Sequence, residues 1–331
     1  MSNLLKPLKM KNLSLNNRLV MPPMVTSQAE NDGRVSKELL DYYNEKSKGG
    51  YISLIIIEHG YVKNGQSTKN QISIAEDYFI EDLKKLADVI HNNGSKAVMQ
   101  INHAGCIVAP SAVVNPRKLN DLAPRELTKN EINEIIESFK DAALRAKKAG
   151  FDGVEIHSAH GYLLNQFLSP LTNKRTDEYG GDILSRILMH LQIIRKIRNA
   201  VGNDYPLFLR LGVSDYIEGG ISIEESKIAA QLFEMAGIDV LDVTGGLCGY
   251  EIPERNEQGY FSELSEAIKS VVSLPVILTG GITEPDVAEM LLEEGKADLI
   301  GVGRAIAKDS LWAKNSVEFL GQNTQKMVYN I

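Results

Sequence analysis

Strand-like and helix-like segments alternate eight times along this chain of 331 residues. Short apolar runs predict strands at Arg18–Pro22, Ile52–Glu58, Lys96–Asn102, Gly153–His157, Leu207–Leu211, Val240–Thr244, Val276–Gly280 and Leu299–Gly303. Amphipathic segments predict helices at 38–48, 80–93, 129–149, 183–200, 223–236, 261–272, 285–295 and 309–320. The strand runs are rich in Val, Ile and Leu, which indicates strands covered on both faces. Eight such units favour an α/β chain folded as a closed (β/α)8 TIM barrel over an open doubly wound sheet.

Local signals mark the starts of several of these helices. TKNE at Thr128–Glu131 and SIEE at Ser222–Glu225 have the spacing of a capping box. TEPD at Thr283–Asp286 places a proline in a first turn, where its missing N–H costs nothing. No linker or shift in composition interrupts the series, so we expect a single domain over residues 1–331.

Composition restricts the class of protein. The net charge is −7 without any basic run, which argues against binding to nucleic acid or to an anionic membrane surface. The apolar runs are too short to span a membrane, and the N-terminus lacks the pattern of a secretory signal. The two cysteines, Cys106 and Cys248, are too few for a disulfide scaffold or a four-cysteine metal site. We therefore expect a soluble cytoplasmic protein.

Reactive and polar residue types are concentrated where the predicted strands end, which is where barrels of this kind build their active sites. PPMVTS, EHG, QINHAG and HSAHGY follow the first four strands, and Arg210 lies within the fifth. Glycine pairs or Gly-Arg follow the last three strands, at Gly245-Gly246, Gly280-Gly281 and Gly303-Arg304. Glycine lets the backbone approach an anion closely, and the loops after the last two barrel strands are a frequent phosphate site. We therefore predict phosphate binding there.

The stretch VEIHSAHGYLLNQFLSP places His157, His160 and Tyr162 at the end of one strand. A metal site, a proton relay and a structural cluster are the three alternatives for such a group. A metal site needs a third ligand, and we expect Glu155 to point to the opposite face of the strand from His157. We therefore predict no metal.

Four motifs together resemble the Old Yellow Enzyme family of FMN-dependent ene-reductases. They are NRLVMPPM (Asn17–Met24), QINHAG (Gln100–Gly105), VEIHSAHGYLLNQFLSPLTNKRTDEYGG (Val154–Gly181) and ADLIGVGR (Ala297–Arg304). They occur in the family's order and cover nearly the whole chain, and the third motif is long and specific.

The resemblance implies a site for bound FMN. The residues that it assigns to the isoalloxazine are Pro22, Pro23, Met24 and Val25, with His59, and Gln100 would bind the pyrimidine edge. Arg210 would lie near N1 and O2, where a positive charge stabilises the reduced flavin. The residues that it assigns to the phosphate are Gly280, Gly281, Gly303 and Arg304.

The resemblance also implies the reaction. His157 and His160 would donate hydrogen bonds to the carbonyl oxygen of an α,β-unsaturated substrate. Hydride, supplied by diffusible NADH or NADPH through the flavin, would reach the β-carbon, and Tyr162 would protonate the α-carbon. The expected substrate is a small electrophilic alkene that carries a carbonyl or nitro group, and a homo-oligomer is expected by family analogy.

Other functions remain open at this point. A related flavin barrel acts on enoyl or dienoyl thioesters or on amines, and a non-catalytic flavin-binding protein is a further alternative. A non-flavin phosphate-binding barrel, such as an aldolase or isomerase, needs a lysine or a carboxylate at a strand end, where Lys96 and Glu58 are the candidates. The sequence departs from the family pattern at Val25, His59 and Cys106.

Overall fold

The computed structural model describes residues 2–63, 67–116 and 122–329, and side chains up to residue 322. The strands are β1 Leu8–Met10, β2 Leu13–Leu15, β3 Leu19–Met21, β4 Leu54–Tyr61, β5 Lys96–Asn102, β6 Val108–Ala109, β7 Arg125–Glu126, β8 Gly153–Ser158, β9 Leu207–Gly212, β10 Val240–Thr244, β11 Val276–Thr279 and β12 Leu299–Gly301. The helices are α1 Lys37–Ser47, α2 Ile80–Asn92, α3 Lys129–Lys148, α4 Leu163–Leu168, α5 Ile183–Arg186, α6 Leu188–Val201, α7 Ile223–Ala236, α8 Ser262–Lys269, α9 Pro285–Glu293, α10 Arg304–Lys308 and α11 Trp312–Tyr329. Two 3-10 turns lie at Lys48–Gly50 and Asp77–Phe79.

Eight of the strands close into a parallel barrel in the order β3-β4-β5-β8-β9-β10-β11-β12, with β12 pairing back to β3. The predicted (β/α)8 barrel is therefore confirmed, and each predicted strand overlaps one barrel strand. The largest shift is in the second, which continues to Tyr61 through a register irregularity between Ile57 and Gly60. Among the described helices, none is long and apolar enough to cross a membrane.

The helix boundaries follow local chemistry. Thr128 and Ser222 each accept a hydrogen bond from the amide three residues later, and Glu131 and Glu225 reach back to complete both predicted capping boxes. The helix predicted at 183–200 is divided into α5 and α6 by a turn at Ile187. The last predicted helix starts later, at Trp312, after the short α10.

The bottom of the barrel is filled by apolar side chains. The hairpin β1–β2, which the sequence did not predict, packs Met10, Leu13 and Leu15 against the inward-facing residues of the strands. These inward-facing residues are Val20, Leu54, Ile56, Val98, Phe208, Val240, Ile277 and Leu299. The hairpin plugs the N-terminal end, and the other end is left for a ligand.

Two arginines hold the long segment after α4. Arg175 donates to the backbone carbonyls of Pro110 and Leu127 and pairs with Asp177. Arg186 donates to the carbonyls of Leu168 and Gly181 and forms an ion pair with Glu225. Both guanidinium groups are buried, and their multiple partners satisfy the buried charge. These contacts hold the segment between α4 and α5 in place.

Candidate active site

A cavity of about 560 Å³ opens at the C-terminal ends of the barrel strands. The predicted site residues that line it are Pro22, Pro23, Met24, Val25, His59, Gln100, His157, His160, Tyr162, Arg210, Gly281, Gly303 and Arg304. Gly280 is absent from this lining, and its carbonyl accepts a hydrogen bond from the amide of Gly259 at 2.6 Å. The structure thus brings together predicted residues from seven of the eight strand ends.

His157, His160 and Tyr162 form one wall of the cavity. The rings of His157 and His160 have centroids 5.2 Å apart, and those of His157 and Tyr162 are 4.9 Å apart. The chain turns after β8 through a left-handed backbone at His160 (φ 59°) and Gly161 (φ 75°). Asn165 stabilises this turn by accepting a hydrogen bond from the Gly161 amide at 2.7 Å. A left-handed non-glycine residue is strained, and such residues cluster at functional sites.

Burial keeps both histidines of this wall neutral. Burial, reinforced by the neighbouring His160, His59 and Arg210, holds the pKa of His157 well below its usual value. Burial and the charge of Arg210 do the same to the pKa of His160, whose Nε2 lies 3.0 Å from Thr244 Oγ1. A neutral imidazole keeps one N–H donor. The wall therefore offers hydrogen-bond donors without a fixed charge.

A layer of buried polar side chains lies just below the cavity. Gln100 Nε2 donates to Glu155 Oε1 at 2.7 Å, and Arg210 Nε lies 3.2 Å from Asp242 Oδ2. Glu155 therefore points into the barrel. The expectation that it faces away from His157 was wrong, because residues two apart on a strand share a face. Burial and the neighbouring Asp242 raise the pKa of Glu155 well above its usual value.

The opposite end of the cavity is formed by glycine and a cation. Gly281 has φ 66°, and an added Cβ would lie 2.6 Å from the ring of Tyr260. An added Cβ at Gly303 would lie 2.8 Å from Met24 Sδ. Arg304 pairs with Glu251 and donates to the Tyr260 hydroxyl at 3.1 Å. Two glycines without room for side chains beside an arginine suit a phosphate group.

One part of the cavity lining was not predicted from the sequence. Tyr250 and Tyr260 from the segment after β10 line the cavity, and the Tyr260 hydroxyl donates to the Tyr250 carbonyl at 2.6 Å. The Tyr250 ring lies 6.3 Å from that of His160. No pattern in the sequence of this irregular segment indicates which of its side chains turn inward. Gly249, Thr279, Ile282, Thr283 and Gly301 complete the lining.

The cavity fits the flavin mononucleotide that the resemblance implies. Among the described residues, Gln100 Oε1 and His157 Nδ1 are buried side-chain atoms without a hydrogen-bond partner. Buried polar atoms are normally paired, so unpaired ones around a cavity indicate a polar ligand. The glycines and Arg304 lie at the other end, as a ring system with a phosphate tail requires. Among the described residues, no group of three or more His, Cys, Asp or Glu side chains is arranged to hold a metal ion.

Comparison with known proteins identifies the relatives of this chain. The family model of the NADH:flavin oxidoreductase / NADH oxidase family matches residues 3–320. An NADH oxidase of Thermoanaerobacter brockii is 44% identical over 96% of this chain, and this chain spans 51% of that protein, about half its length. An NADPH dehydrogenase of Clostridium acetobutylicum is 37% identical over 95% of this chain and 94% of its own length.

A solved structure extends the comparison to the fold. A complex of 2-naphthoyl-CoA reductase with 2-naphthoyl-CoA superposes with a TM-score of 0.91 and 32% sequence identity. The match covers 96% of this chain and 52% of that chain.

Proposed function

Because the chain belongs to the NADH:flavin oxidoreductase / NADH oxidase family, we propose that it is an FMN-dependent oxidoreductase driven by NADH or NADPH. The resemblance to the Old Yellow Enzyme family is thereby confirmed. Its proposed substrates are α,β-unsaturated carbonyl or nitro compounds, whose activated C=C bond it reduces. The observation that carries this proposal is the wall of His157, His160 and Tyr162 beside a cavity with the polar lining of a flavin site.

Bound FMN would supply a two-electron carrier that passes hydride from the nicotinamide to the substrate. Gln100, Arg210, Gly281, Gly303 and Arg304 are the residues proposed to hold it.

The chain's own residues then act on the substrate. The N–H groups of neutral His157 and His160 donate to the substrate oxygen, on which negative charge develops as the C=C bond is reduced. The Tyr162 phenol holds the proton that the α-carbon needs.

The lining of the cavity argues against an aldolase or isomerase. Among the described residues, those that line it include no lysine and no carboxylate. Lys96 pairs with Asp152 at the start of β5, where its strand enters the barrel. Glu58 Oε2 accepts the Thr26 amide at 2.9 Å. Neither is placed to act as a Schiff base or as an acid/base group in the cavity.

Enoyl or aryl thioesters are the second candidate class of substrate. The 2-naphthoyl-CoA reductase structure, which contains a bound CoA thioester, is similar over nearly this whole chain. A thioester carbonyl would use the same histidine donors, so the two classes share a mechanism and differ in the size of the substrate.

Two measurements test this function. We expect the purified protein to show a flavin absorption spectrum, with FMN released on denaturation. Single enones, nitroalkenes and enoyl thioesters should then be compared by kcat/KM with each nicotinamide. The expected result is oxidation of NAD(P)H that requires the presence of a substrate from one of these classes. A colourless protein that does not take up added FMN would contradict the cofactor, and a flavoprotein inactive on all three classes would contradict the substrate.

Arg210→Met provides an independent prediction about the flavin. Removing a buried cation beside the cavity should lower the flavin midpoint potential, because electron uptake loses its positive partner. Loss of an interaction of about 1.5–3 kcal/mol corresponds to roughly 30–60 mV for a two-electron couple. Spectroelectrochemistry measures the shift, and Arg210→Lys serves as the variant that retains charge. An unchanged or higher potential in the Met variant would reject the placement of Arg210 beside the ring.

Three further predictions stay open. They are a cytoplasmic location, a homo-oligomeric state and the single-domain organisation of residues 1–331.

A further inference from the structure

The side chain of His59 lies inside the cavity, between Gln71 and Tyr162. Its Nδ1 is 2.7 Å from Gln71 Nε2, and its Nε2 is 3.2 Å from the Tyr162 hydroxyl oxygen. We propose that His59 is a positioning residue for the proton donor. Its neutral ring donates from Nε2 to the Tyr162 oxygen, which leaves the phenol hydrogen for another acceptor and stabilises the phenolate formed when that hydrogen departs. This role rests on the proposed function of Tyr162, although the direction of the hydrogen bond does not.

The orientation of the Gln71 amide is fixed by its neighbours. Its Oε1 accepts from the Ser67 backbone amide at 2.8 Å and from Ser67 Oγ at 3.0 Å. Its Nε2 lies 3.1 Å from the backbone carbonyl of His59. A backbone N–H only donates and a backbone C=O only accepts. Both neighbours therefore require the same orientation of the amide. In the flipped amide, Nε2 would face the Ser67 N–H, which is also a donor, and Oε1 would face the His59 carbonyl, which is also an acceptor.

This orientation fixes the tautomer of His59. Gln71 Nε2 is a donor, so the ring nitrogen that faces it, Nδ1, has to accept and carries no hydrogen. Burial lowers the pKa of His59 to about 4, so the ring is neutral near neutral pH. A neutral imidazole carries one hydrogen, which must then be on Nε2. The bond to Tyr162 consequently runs from histidine to phenol.

The direction of this bond matters for proton donation. If Tyr162 donated to His59, its hydrogen would point away from any substrate, and the ring would compete for the proton. With His59 as the donor, the phenol oxygen accepts, and the bond strengthens once that oxygen becomes negative. Hydrogen bonding to the charged form of an acid favours that form. His59 therefore makes the phenol a better acid without holding a charge itself.

Other groups around the Tyr162 phenol shift its pKa, some upward and some downward. Burial raises the pKa of Tyr162, and Cys106 adds to this rise, whereas the Ser67 hydroxyl and the charge of Arg210 lower it. The His157 ring lies 5.9 Å from that of His59 and is neutral. Ser67 is the second hydrogen-bonding neighbour of the phenol.

Nitrogen-15 NMR of the ring nitrogens tests the tautomer directly. The protein with its flavin, labelled in histidine, should give one pattern with protonated Nε2 and unprotonated Nδ1, assigned to His59 by its loss in His59→Gln. A ring protonated at Nδ1, or at both nitrogens near neutral pH, would overturn the proposal. This measurement on the unchanged chain needs no substrate.

Ionisation of the phenol tests the consequence. With difluorotyrosine at position 162, fluorine NMR follows the titration, and its lower intrinsic pKa keeps the measurement within a range that preserves the fold. His59→Leu should raise the pKa of this phenol by about one unit, which means about tenfold less phenolate at a given pH. His59→Gln retains an N–H near the position of Nε2, so the phenol in this variant should have the same pKa as in the parent. Equal pKa values in all three proteins would overturn the proposal.

A double-mutant cycle connects His59 to turnover. His59→Leu should slow enone reduction by about tenfold, and the same change in a Tyr162→Phe background should slow it no further. Additive losses would mean that His59 does not act through Tyr162. If the parent enzyme reduces no electrophilic alkene, the proposed function fails, while the two NMR measurements still decide the role of His59.

Discussion

Tyr162→Phe should slow reduction of an enone by about 10²–10⁴-fold while leaving reduction of the flavin by NAD(P)H almost unchanged. Only the second half-reaction needs a proton at the α-carbon. Among the described residues, the group beside His157 and His59 that can supply this proton is the phenol of Tyr162. The change removes one oxygen and leaves the ring, so packing against both imidazoles is retained. Stopped-flow absorbance of the flavin separates the two half-reactions.

Two comparisons make this result specific. Tyr179→Phe removes a buried hydroxyl that donates to Gln192 outside the cavity, and it controls for the general cost of losing a phenol oxygen. Nitroalkenes give a stable nitronate after hydride transfer, and in Tyr162→Phe this species should accumulate or be released unprotonated. Equal impairment of both half-reactions would mean that Tyr162 is not the proton donor.

The fold was predictable because its signal is repeated. Eight apolar runs separated by amphipathic segments are compatible with few architectures. An error at the boundary of one strand or helix therefore does not change the predicted fold. The hairpin β1–β2 was missed because each strand has only three residues, too short for a periodic pattern. Continuously apolar strands also do not reveal which face turns inward, so the packing of the barrel interior required the structure.

Site residues could be predicted where a reactive residue type lies at the end of a predicted strand. His157, His160 and Tyr162 are polar residues at one strand end, and the barrel brings such ends together. The contact of His59 with Gln71 was not predictable, because Gln71 lies in an irregular segment twelve residues further along the chain. The orientation of Glu155 follows from the two-residue period of a strand, which places it on the same face as His157, contrary to our expectation.

Gly303→Val should release the flavin from the protein. Gly303 lines the cavity next to Arg304, and its φ of −98° accommodates any residue, so the change introduces little backbone strain. An added Cβ would lie 2.8 Å from Met24 Sδ and 3.3 Å from Pro22 Cγ. Valine therefore has to displace these residues or occupy the space proposed for the phosphate. Overpacking of about 1–3 kcal/mol corresponds to a roughly five- to 150-fold weaker affinity.

The ratio of flavin to protein after gel filtration, and the Kd for added FMN, measure this loss. Gly321→Val is the matched control, because an added Cβ at that helical position has no heavy atom of the described residues within 4 Å. If both variants retain stoichiometric flavin, the phosphate does not lie beside Gly303. If Gly303→Val loses flavin but regains it at high FMN concentration with an unchanged melting temperature of the apoprotein, the defect is confined to the pocket. That outcome is expected, because the side chains nearest the added Cβ, Met24 and Pro22, line the cavity.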